Sequence, residues 1–520
     1  MSSPRGAASV ATGLAPAREA RPIRPGERIH VVGAAGAGAS AAALLAHYRG
    51  AVVSGCDPGG PSPYTPPLEA AGIALEWRHD PGHVAASGAE RLAVTKALTA
   101  VDPDNAELAA ARDAGLAIEA WQQTIADAAV GRTLVGVAGT HGKSTTSGWL
   151  VHVLAETGLD PSAFVGALLP AGLTGGLAST ARWGGGMPFV VEADEYAGNF
   201  DPYRPDVAVL TSAEWDHPDV FADRGAVVDS FTAWIERAGR SRSGPVLVAN
   251  MGDAGVVEVV RRLAGWPGRL VCVSLRGTGV GLPDADSLAA VRGLTDVQGS
   301  PEVVFGRLLA ADPQGTTVEL DGTRFSAPRE VRVRLAGRHN AANALGVAAA
   351  SLTLGVAEQD LPAALGSFPG VGRRLERKGE GRGVVVYDDY GHHPTAIRET
   401  LAAVRQLEPG RRVWAVYEPL TYHRTAAMLD EFADVLATAD GAVIADIWAS
   451  RDPDTTITSA RALADAVTLR RPDIPAVAPG SVEMTAEWLA GRVRSGDAVL
   501  VMGGGKSYRI AELLVESLLR

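Results

Sequence analysis

At 520 residues, with 46% hydrophobic and 21% charged side chains, the chain has apolar material for several cores, and at roughly 150 residues per domain it predicts about three. Forty-eight basic against fifty-nine acidic residues give a net charge of −11, which excludes the basic footprint of a general nucleic-acid binder. Two cysteines, Cys56 and Cys272, exclude a disulfide framework and show no metal-ligand spacing, and no uninterrupted apolar run reaches the roughly 18 residues of a membrane span.

Residues 1–25 are rich in Ala, Pro, Arg and Ser without a continuous apolar segment. They read as a flexible tail rather than a secretory leader, and with so few cysteines a cytoplasmic protein is expected. Next, His30-Val31-Val32 followed by Gly33-Ala34-Ala35-Gly36-Ala37-Gly38 suits a strand and a diphosphate-binding turn. Taken alone, this loop fits a dinucleotide site equally well, with Asp57 after the next short strand as the ribose-binding acid.

Thr133 to Ala138 reads as a buried strand, Gly139 to Ser144 as a tight loop, and Thr145 onward as a helix carrying Trp149, Leu150, Val153 and Leu154. Free backbone N–H groups and a partial positive charge of roughly half a unit favour an anion at such a helix start. Lys143 would add a full charge to the terminal phosphates, and the Ser144 hydroxyl would ligate Mg²⁺. Only two residues separate Gly139 from Gly142-Lys143, so the generic phosphate-loop spacing is not matched, and a plain glycine turn before a helix is the alternative.

Further apolar runs at Phe189–Val191, Val207–Leu210, Val246–Val248, Val384–Val386, Val413–Val416, Ala442–Ile444 and Ala498–Val501 alternate with helical segments. This predicts largely parallel α/β sheets, with ligands at the carboxyl ends of the strands. Glu192, Asp194 and Glu195 follow one run; Glu214, Asp216 and His217 follow the next. Glu192 fits a Mg²⁺ ligand beside Ser144, and His217 fits a second metal or its orientation, although acids at strand ends also serve as caps. Residues 274–330 lack periodicity and read as loops and edge strands of the middle domain. Pro394 suits the first turn of a helix on which Ile397, Leu401 and Val404 pack into a core.

The motifs Ala138-Gly139-Thr140-His141-Gly142-Lys143-Ser144, Glu192-Ala193-Asp194-Glu195, Glu214-Trp215-Asp216-His217, Gly337-Arg338-His339-Asn340 with Asn343, Arg373-Arg374-Leu375-Glu376 and Asp388-Asp389-Tyr390-Gly391-His392-His393-Pro394 together resemble the Mur ligases over nearly the whole chain after residue 26. The resemblance implies three α/β domains: a Rossmann-like UDP-sugar domain at 26–128, a central P-loop ATPase domain with a mostly parallel sheet at 129–370, and a Rossmann-like C-terminal ligase domain at 371–520. It implies ATP contacts from Gly139, Thr140, His141, Gly142, Lys143, Ser144 and Thr145, from His339, Asn340 and Asn343 near the adenine, from Arg374 on the phosphates and from Asp389 on the ribose. Lys143, Glu192 and His217 would be catalytic, with Ser144, Glu192 and His217 holding Mg²⁺. Gly33, Gly36, Gly38, Ser40 and Asp57 would hold the UDP-sugar.

By the same resemblance the enzyme uses ATP to join L-alanine to UDP-N-acetylmuramate through an acyl phosphate, as a monomer or homodimer without nucleic-acid or membrane partners. Alanine-adding members carry Gln-Pro-His-Arg-Tyr-Thr-Arg-Thr where this chain has Glu418-Pro419-Leu420-Thr421-Tyr422-His423-Arg424-Thr425. His393, Tyr422 and Arg424 remain as amino-acid contacts, Arg424 for the carboxylate. Three other readings stay open. A related ligase joins a murein tripeptide to the same sugar nucleotide; an NAD-dependent dehydrogenase would use the first glycine loop but leave Lys143, Glu192 and His217 unexplained; a non-catalytic nucleotide-binding regulator would account for the ATP site alone.

Overall fold

The computed structural model describes residues 10–276, 302–449, 452 and 454–520. Its strands form three sheets, whose central strands are the near-continuous apolar runs of sheets covered on both faces. In the first, β1 (Arg28–Val32), β2 (Val52–Cys56), β3 (Ala74–Glu76), β4 (Arg91–Val94) and β5 (Ala117–Ala120) lie in the order β3-β2-β1-β4-β5, all parallel. Helix α1 (Ala37–Tyr48) follows β1 through the glycine loop.

The central sheet holds ten strands: β6 (Thr133–Ala138), β7 (Ser162–Leu169), β8 (Ser179–Arg182), β9 (Pro188–Ala193), β10 (Val207–Leu210), β11 (Val246–Asn250), β12 (Arg269–Arg276), β13 (Glu302–Asp312), β14 (Gly315–Gly322) and β15 (Arg329–Val333). Their order is β15-β14-β13-β12-β11-β10-β6-β9-β7-β8, parallel from β13 to β7. After β6 the chain crosses by α2 (Lys143–Glu156) to β7 on one side, and after β9 it returns to β10 on the other, so β6 stands at a topological switch point. Register completes the geometry. Ala138 pairs with Ala193 of β9 and Leu210 of β10, so the loops after all three strands open at one edge.

Helix α2 packs on this sheet beside α3 (Arg338–Thr353). Leu150, Val151, Val153 and Leu154 are fully buried, each stabilising by about 1.5–3 kcal/mol. Trp149 stacks on Phe368 at 5.1 Å and donates its indole N–H to the Leu365 carbonyl, which fixes the helix that carries Lys143 and Ser144.

In the third sheet, β16 (Glu376–Gly381), β17 (Val384–Asp389), β18 (Arg412–Glu418), β19 (Gly441–Ala445), β20 (Ala476–Gly480) and β21 (Asp497–Gly503) run in the order β16-β17-β21-β18-β19-β20, with β16 alone antiparallel. Helix α4 (Pro394–Leu407) starts at Pro394 and buries Ile397, Leu401 and Val404, as its spacing predicts.

One expectation changes. Residues 10–25 are not a detached tail: Val10 is buried, and the Arg18 guanidinium bridges Glu119 and Asp127 at 2.6 and 2.7 Å. Arg91 reaches the same two carboxylates, so charge pairing holds a segment whose composition looks unstructured. The edge strands expected within residues 274–330 are present, β13 and β14 forming an antiparallel edge that β15 extends to Val333, and 277–301 lie outside the described residues. Among the described residues, no helix is long and apolar enough to cross a membrane.

Candidate active site

The loop from Gly139 to Gly142 bends through backbone that only glycine adopts easily: φ is +135° at Gly139 and +80° at Gly142. A Cβ at Gly139 would meet Thr211 Oγ1 at 2.2 Å, and one at Gly142 would meet Asn343 Oδ1 at 2.7 Å. The loop is thus pressed between the end of β10 and α3. Thr140 Oγ1 donates to the Glu214 carbonyl, and the His141 amide donates to Ser212 Oγ.

Lys143 Nζ donates to the Gly139 carbonyl at 2.7 Å and to Glu195 Oε2 at 3.0 Å, with Asp194 at 3.7 Å. Burial alone would lower its pKa, but the two carboxylates outweigh that and leave it raised, so the ammonium stays charged. Burial pushes the Glu195 carboxyl up to about 7 against the pull of Lys143. Sequence placed Glu195 in an acidic cluster without seeing that it would be the counter-ion of the lysine.

Ser144 Oγ donates to Glu192 Oε1 at 2.9 Å and accepts from Arg374 Nη2 at 2.8 Å, a bond from the third domain into the phosphate loop. The other Glu192 oxygen accepts from the Gly166 amide. His217, at φ +56°, lies with Asp194 and Glu195 so that one ligand atom of each falls within 4.8 Å of the others. The expected metal trio therefore divides into Ser144 with Glu192, and His217 with Asp194 and Glu195. Hard carboxylate and hydroxyl oxygens with one imidazole fit Mg²⁺.

Asp216 and Arg424 form a buried ion pair across the domain boundary, Oδ1 to Nη2 at 2.7 Å and to Nε at 2.8 Å, with side-chain exposures of 6% and 2%. Nη2 also reaches His217 Nδ1 at 3.1 Å. Nη1 of Arg424 is buried with no hydrogen-bond partner among the described residues. Arg424 lies in the first turn of a short helix, α5 (Tyr422–Ala427), whose cap is Thr421 at φ +63°, accepting from the Arg424 amide.

Nearby, His141 Nε2 lies 3.1 Å from Glu214 Oε2, which also accepts from Thr395 Oγ1. Burial opposes ionisation of Glu214, but these partners bring its pKa down to about 2. Burial brings His393 down to about 4. Its Nδ1 accepts from the Thr395 amide and its Nε2 faces the Trp215 carbonyl, so both nitrogens are engaged.

One cavity of about 440 Å³ joins the three domains. Ala37 and Gly38 open it from the first; His141, Gly142, Lys143, Glu192, Asp194 and His217 line it from the second; Arg374, Tyr390, His392, His393 and Leu420 close it from the third. Sequence reading missed Lys96, Trp121 and Tyr390 on this wall. Lys96 carried a usable signal, because it follows the run Arg91–Val94 as Gly33 follows β1. Its ammonium donates to the Ala197 carbonyl, and burial lowers its pKa to about 8.

The other expected contact residues make bonds within the protein. Asp389 spends one carboxylate oxygen on the Leu375 amide and the other on the Gly391 amide, holding the turn of Arg374 and Tyr390. Asp57 accepts from the Ala35 and Gly59 amides and so braces the first glycine loop. Ser40 faces Thr180 of the central domain at 3.2 Å and donates to the Ala37 carbonyl, so its hydroxyl ties the end of the loop to α1. Gly33, at φ +84°, takes the turn, and a Cβ on Gly38 would strike Trp121 at 2.2 Å; Gly36 caps α1 in extended backbone. Asn340 bonds the Ala336 carbonyl, Asn343 bonds Asn340 and abuts Gly142, and His339 faces Glu399 at 3.4 Å. Thr145 is buried in the first turn of α2, and Tyr422 is not among the residues lining the cavity.

A phosphate loop, an acidic metal-type cluster and a guanidinium from a third domain, all on one cavity, define a nucleotide-dependent ligase. The Mur ligase family models match successively: its catalytic domain over residues 28–133, its middle domain over 137–351 and its glutamate ligase domain over 373–505. The chain belongs to the Mur ligase family of ATP-dependent ligases, which act in peptidoglycan precursor synthesis. It is 38% identical over 480 residues to UDP-N-acetylmuramate--L-alanine ligase of Kineococcus radiotolerans, covering 92% of this chain and 93% of that one. It is 35% identical over 502 residues to the enzyme of the same name from Roseiflexus sp., covering 94% and 98%. The fold matches the crystal structures of a UDP-N-acetylmuramate-alanine ligase from Thermotoga maritima (TM-score 0.71, 23% identity, 94% and 98% covered) and of a murein peptide ligase from Psychrobacter arcticus (TM-score 0.69, 24% identity, 95% and 99% covered).

Proposed function

We propose that the enzyme joins L-alanine to the carboxylate of UDP-N-acetylmuramate. The observation that carries this reading is the shared cavity, where the first glycine loop, Lys143 and the altered segment at Leu420 meet. The relatives at 38% and 35% identity bear the alanine ligase name, which supports alanine over a tripeptide.

The glycine loop at Gly33–Gly38 and the start of α1 hold the UDP diphosphate by backbone N–H groups, which directs the sugar's carboxylate into the cavity. Lys143 and Arg374 meet the γ-phosphate from two domains, and the carboxylate attacks it in line with loss of ADP. Mg²⁺, held by Ser144 and Glu192 and by Asp194, Glu195 and His217, would supply charge stabilisation on the phosphate oxygens. The alanine carboxylate meets Nη1 of Arg424, whose other nitrogens are committed to Asp216 and His217. Leu420, in place of the usual histidine, offers an apolar wall that suits a methyl side chain. His392 donates from Nδ1 to the Tyr390 carbonyl, which leaves Nε2 as an acceptor for an amine N–H. Amine attack on the acyl phosphate forms the amide and expels phosphate. Because the phosphate contacts come from two domains, domain closure assembles the site.

A panel of amino acids and murein tripeptide, each with UDP-N-acetylmuramate and Mg-ATP, tests the acceptor by ADP release. L-alanine is expected to give the highest kcat/KM, with glycine lower by about 10-fold or more for the lost methyl contact. Preference for the tripeptide would assign the enzyme to the related ligase instead.

A further inference from the structure

The first domain holds a second cluster, away from the cavity, that ligation does not use. Glu107, fully buried, has His30 Nε2 at 2.9 Å and His83 Nδ1 at 3.1 Å from Oε1, and Cys56 Sγ at 3.2 Å from Oε2. One ligand atom from each of the four lies within 4.8 Å of all the others. We propose that His30, Cys56, His83 and Glu107 form a structural zinc site beneath the first glycine loop.

Tetrahedral zinc at its usual bond lengths to nitrogen, oxygen and sulfur separates neighbouring ligand atoms by roughly 3.3–3.8 Å, and the spacings here, from 2.9 Å up to at most 4.8 Å, bracket that range, so shifts of a few tenths of an ångström at Glu107 would seat the ion. The donor set of two imidazoles, a thiolate and a carboxylate selects zinc over magnesium, which prefers oxygen. His30 Nδ1 lies 2.8 Å from Ser54 Oγ, which orients the ring and turns Nε2 inward, as an outer partner of a metal-bound histidine does. His30 Nε2 meets Glu107 Oε1 off the line of a good hydrogen bond and has no other partner among the described residues. His79, 18% exposed, has Nδ1 at 3.2 Å from Glu107 Oε2 and 3.5 Å from Cys56 Sγ, and marks the route in from solvent.

The ligands come from β1, the end of β2 and the short helices Gly82–Ser87 and Ala106–Asp113, which is why no local spacing announced them. Zinc entry forms two Zn–N bonds, one Zn–S and one Zn–O, and releases the Cys56 thiol proton and any imidazolium proton to solvent. The thiolate and carboxylate neutralise the ion. The Cys56 carbonyl accepts from the amides of Gly33 and Ala34, so a fixed Cys56 anchors the turn of the glycine loop.

The test is cobalt titration of the chelator-treated full-length chain without nucleotide. We expect one bound cobalt per chain with sulfur-to-cobalt charge transfer and intense tetrahedral ligand-field absorption, reversed by Zn²⁺, abolished in Cys56→Ser and kept in Cys272→Ser. Cobalt held only by Asp194, Glu195 and His217 gives no sulfur band, and that result overturns the proposal, as does a band lost with Cys272 instead. Should Cys56→Ser not fold, alkylation of the wild type decides. Zinc at ten times its Kd should slow Cys56 labelling in mild denaturant by about 10-fold, and equal rates with and without zinc contradict the site.

Discussion

Lys143→Ala is expected to abolish ligation, lowering kcat by about 10³-fold or more, while UDP-sugar binding survives. The ammonium sits at the neck of the Gly139 loop between its own backbone carbonyl and Glu195, and no other side chain delivers a full positive charge from α2 to that position. Arg374 reaches the loop from the opposite domain, at Ser144 Oγ, and does not take the place of the Lys143 ammonium. The glycine loop at Gly33–Gly38 belongs to a separate sheet, so its ligand is held independently of Lys143. Stopped-flow ADP release together with calorimetric titration of UDP-N-acetylmuramate separates the two effects. Turnover near wild type would remove Lys143 from the chemistry, and loss of sugar-nucleotide affinity would show that the variant disturbs more than the phosphate loop.

Asp216→Ala is expected to destabilise the junction of the second and third domains by about 3–5 kcal/mol, because it strands the Arg424 guanidinium in a site that water does not reach. The observable is the thermal transition of the C-terminal domain, since a three-domain chain does not unfold in one step. The double variant Asp216→Ala with Arg424→Leu should recover part of the loss, as it leaves no buried charge unpaired. A double variant as unstable as the sum of the singles would mean that the pair is not coupled. Activity should not recover with stability, because Arg424 also supplies the unpartnered Nη1 proposed for the alanine carboxylate.

These two residues also show what sequence made legible. Lys143, Ser144, Glu192 and His217 were readable because each follows an apolar run, and parallel strands with one register bring such loop starts to a common edge. The α/β class follows from the same rule, whereas the switch point at β6 needed the strand order. Contacts between domains were not readable, because nothing local in Thr421-Tyr422-His423-Arg424 reveals that the arginine pairs with Asp216, more than two hundred residues earlier. Side-chain direction was also hidden: Asp389 and Asp57 sit where a ribose acid is expected, yet both spend their oxygens on backbone amides of the adjoining turns. Residues 10–25 misled by composition, since Arg18 is held by Glu119 and Asp127, acids that lie a hundred residues along the chain. The cluster at Glu107 escaped for the same reason, its ligands arriving from four separate elements.

The central claim is that this site activates a carboxylate by phosphorylating it, and oxygen transfer tests it most directly. UDP-N-acetylmuramate labelled with ¹⁸O in its carboxylate, turned over with L-alanine and Mg-ATP, should deliver one labelled oxygen to each phosphate released, because the carboxylate oxygen that attacks the γ-phosphorus leaves with it. Phosphate free of label, with amide formed at the normal rate, would contradict an acyl phosphate and the role assigned here to the Lys143 loop.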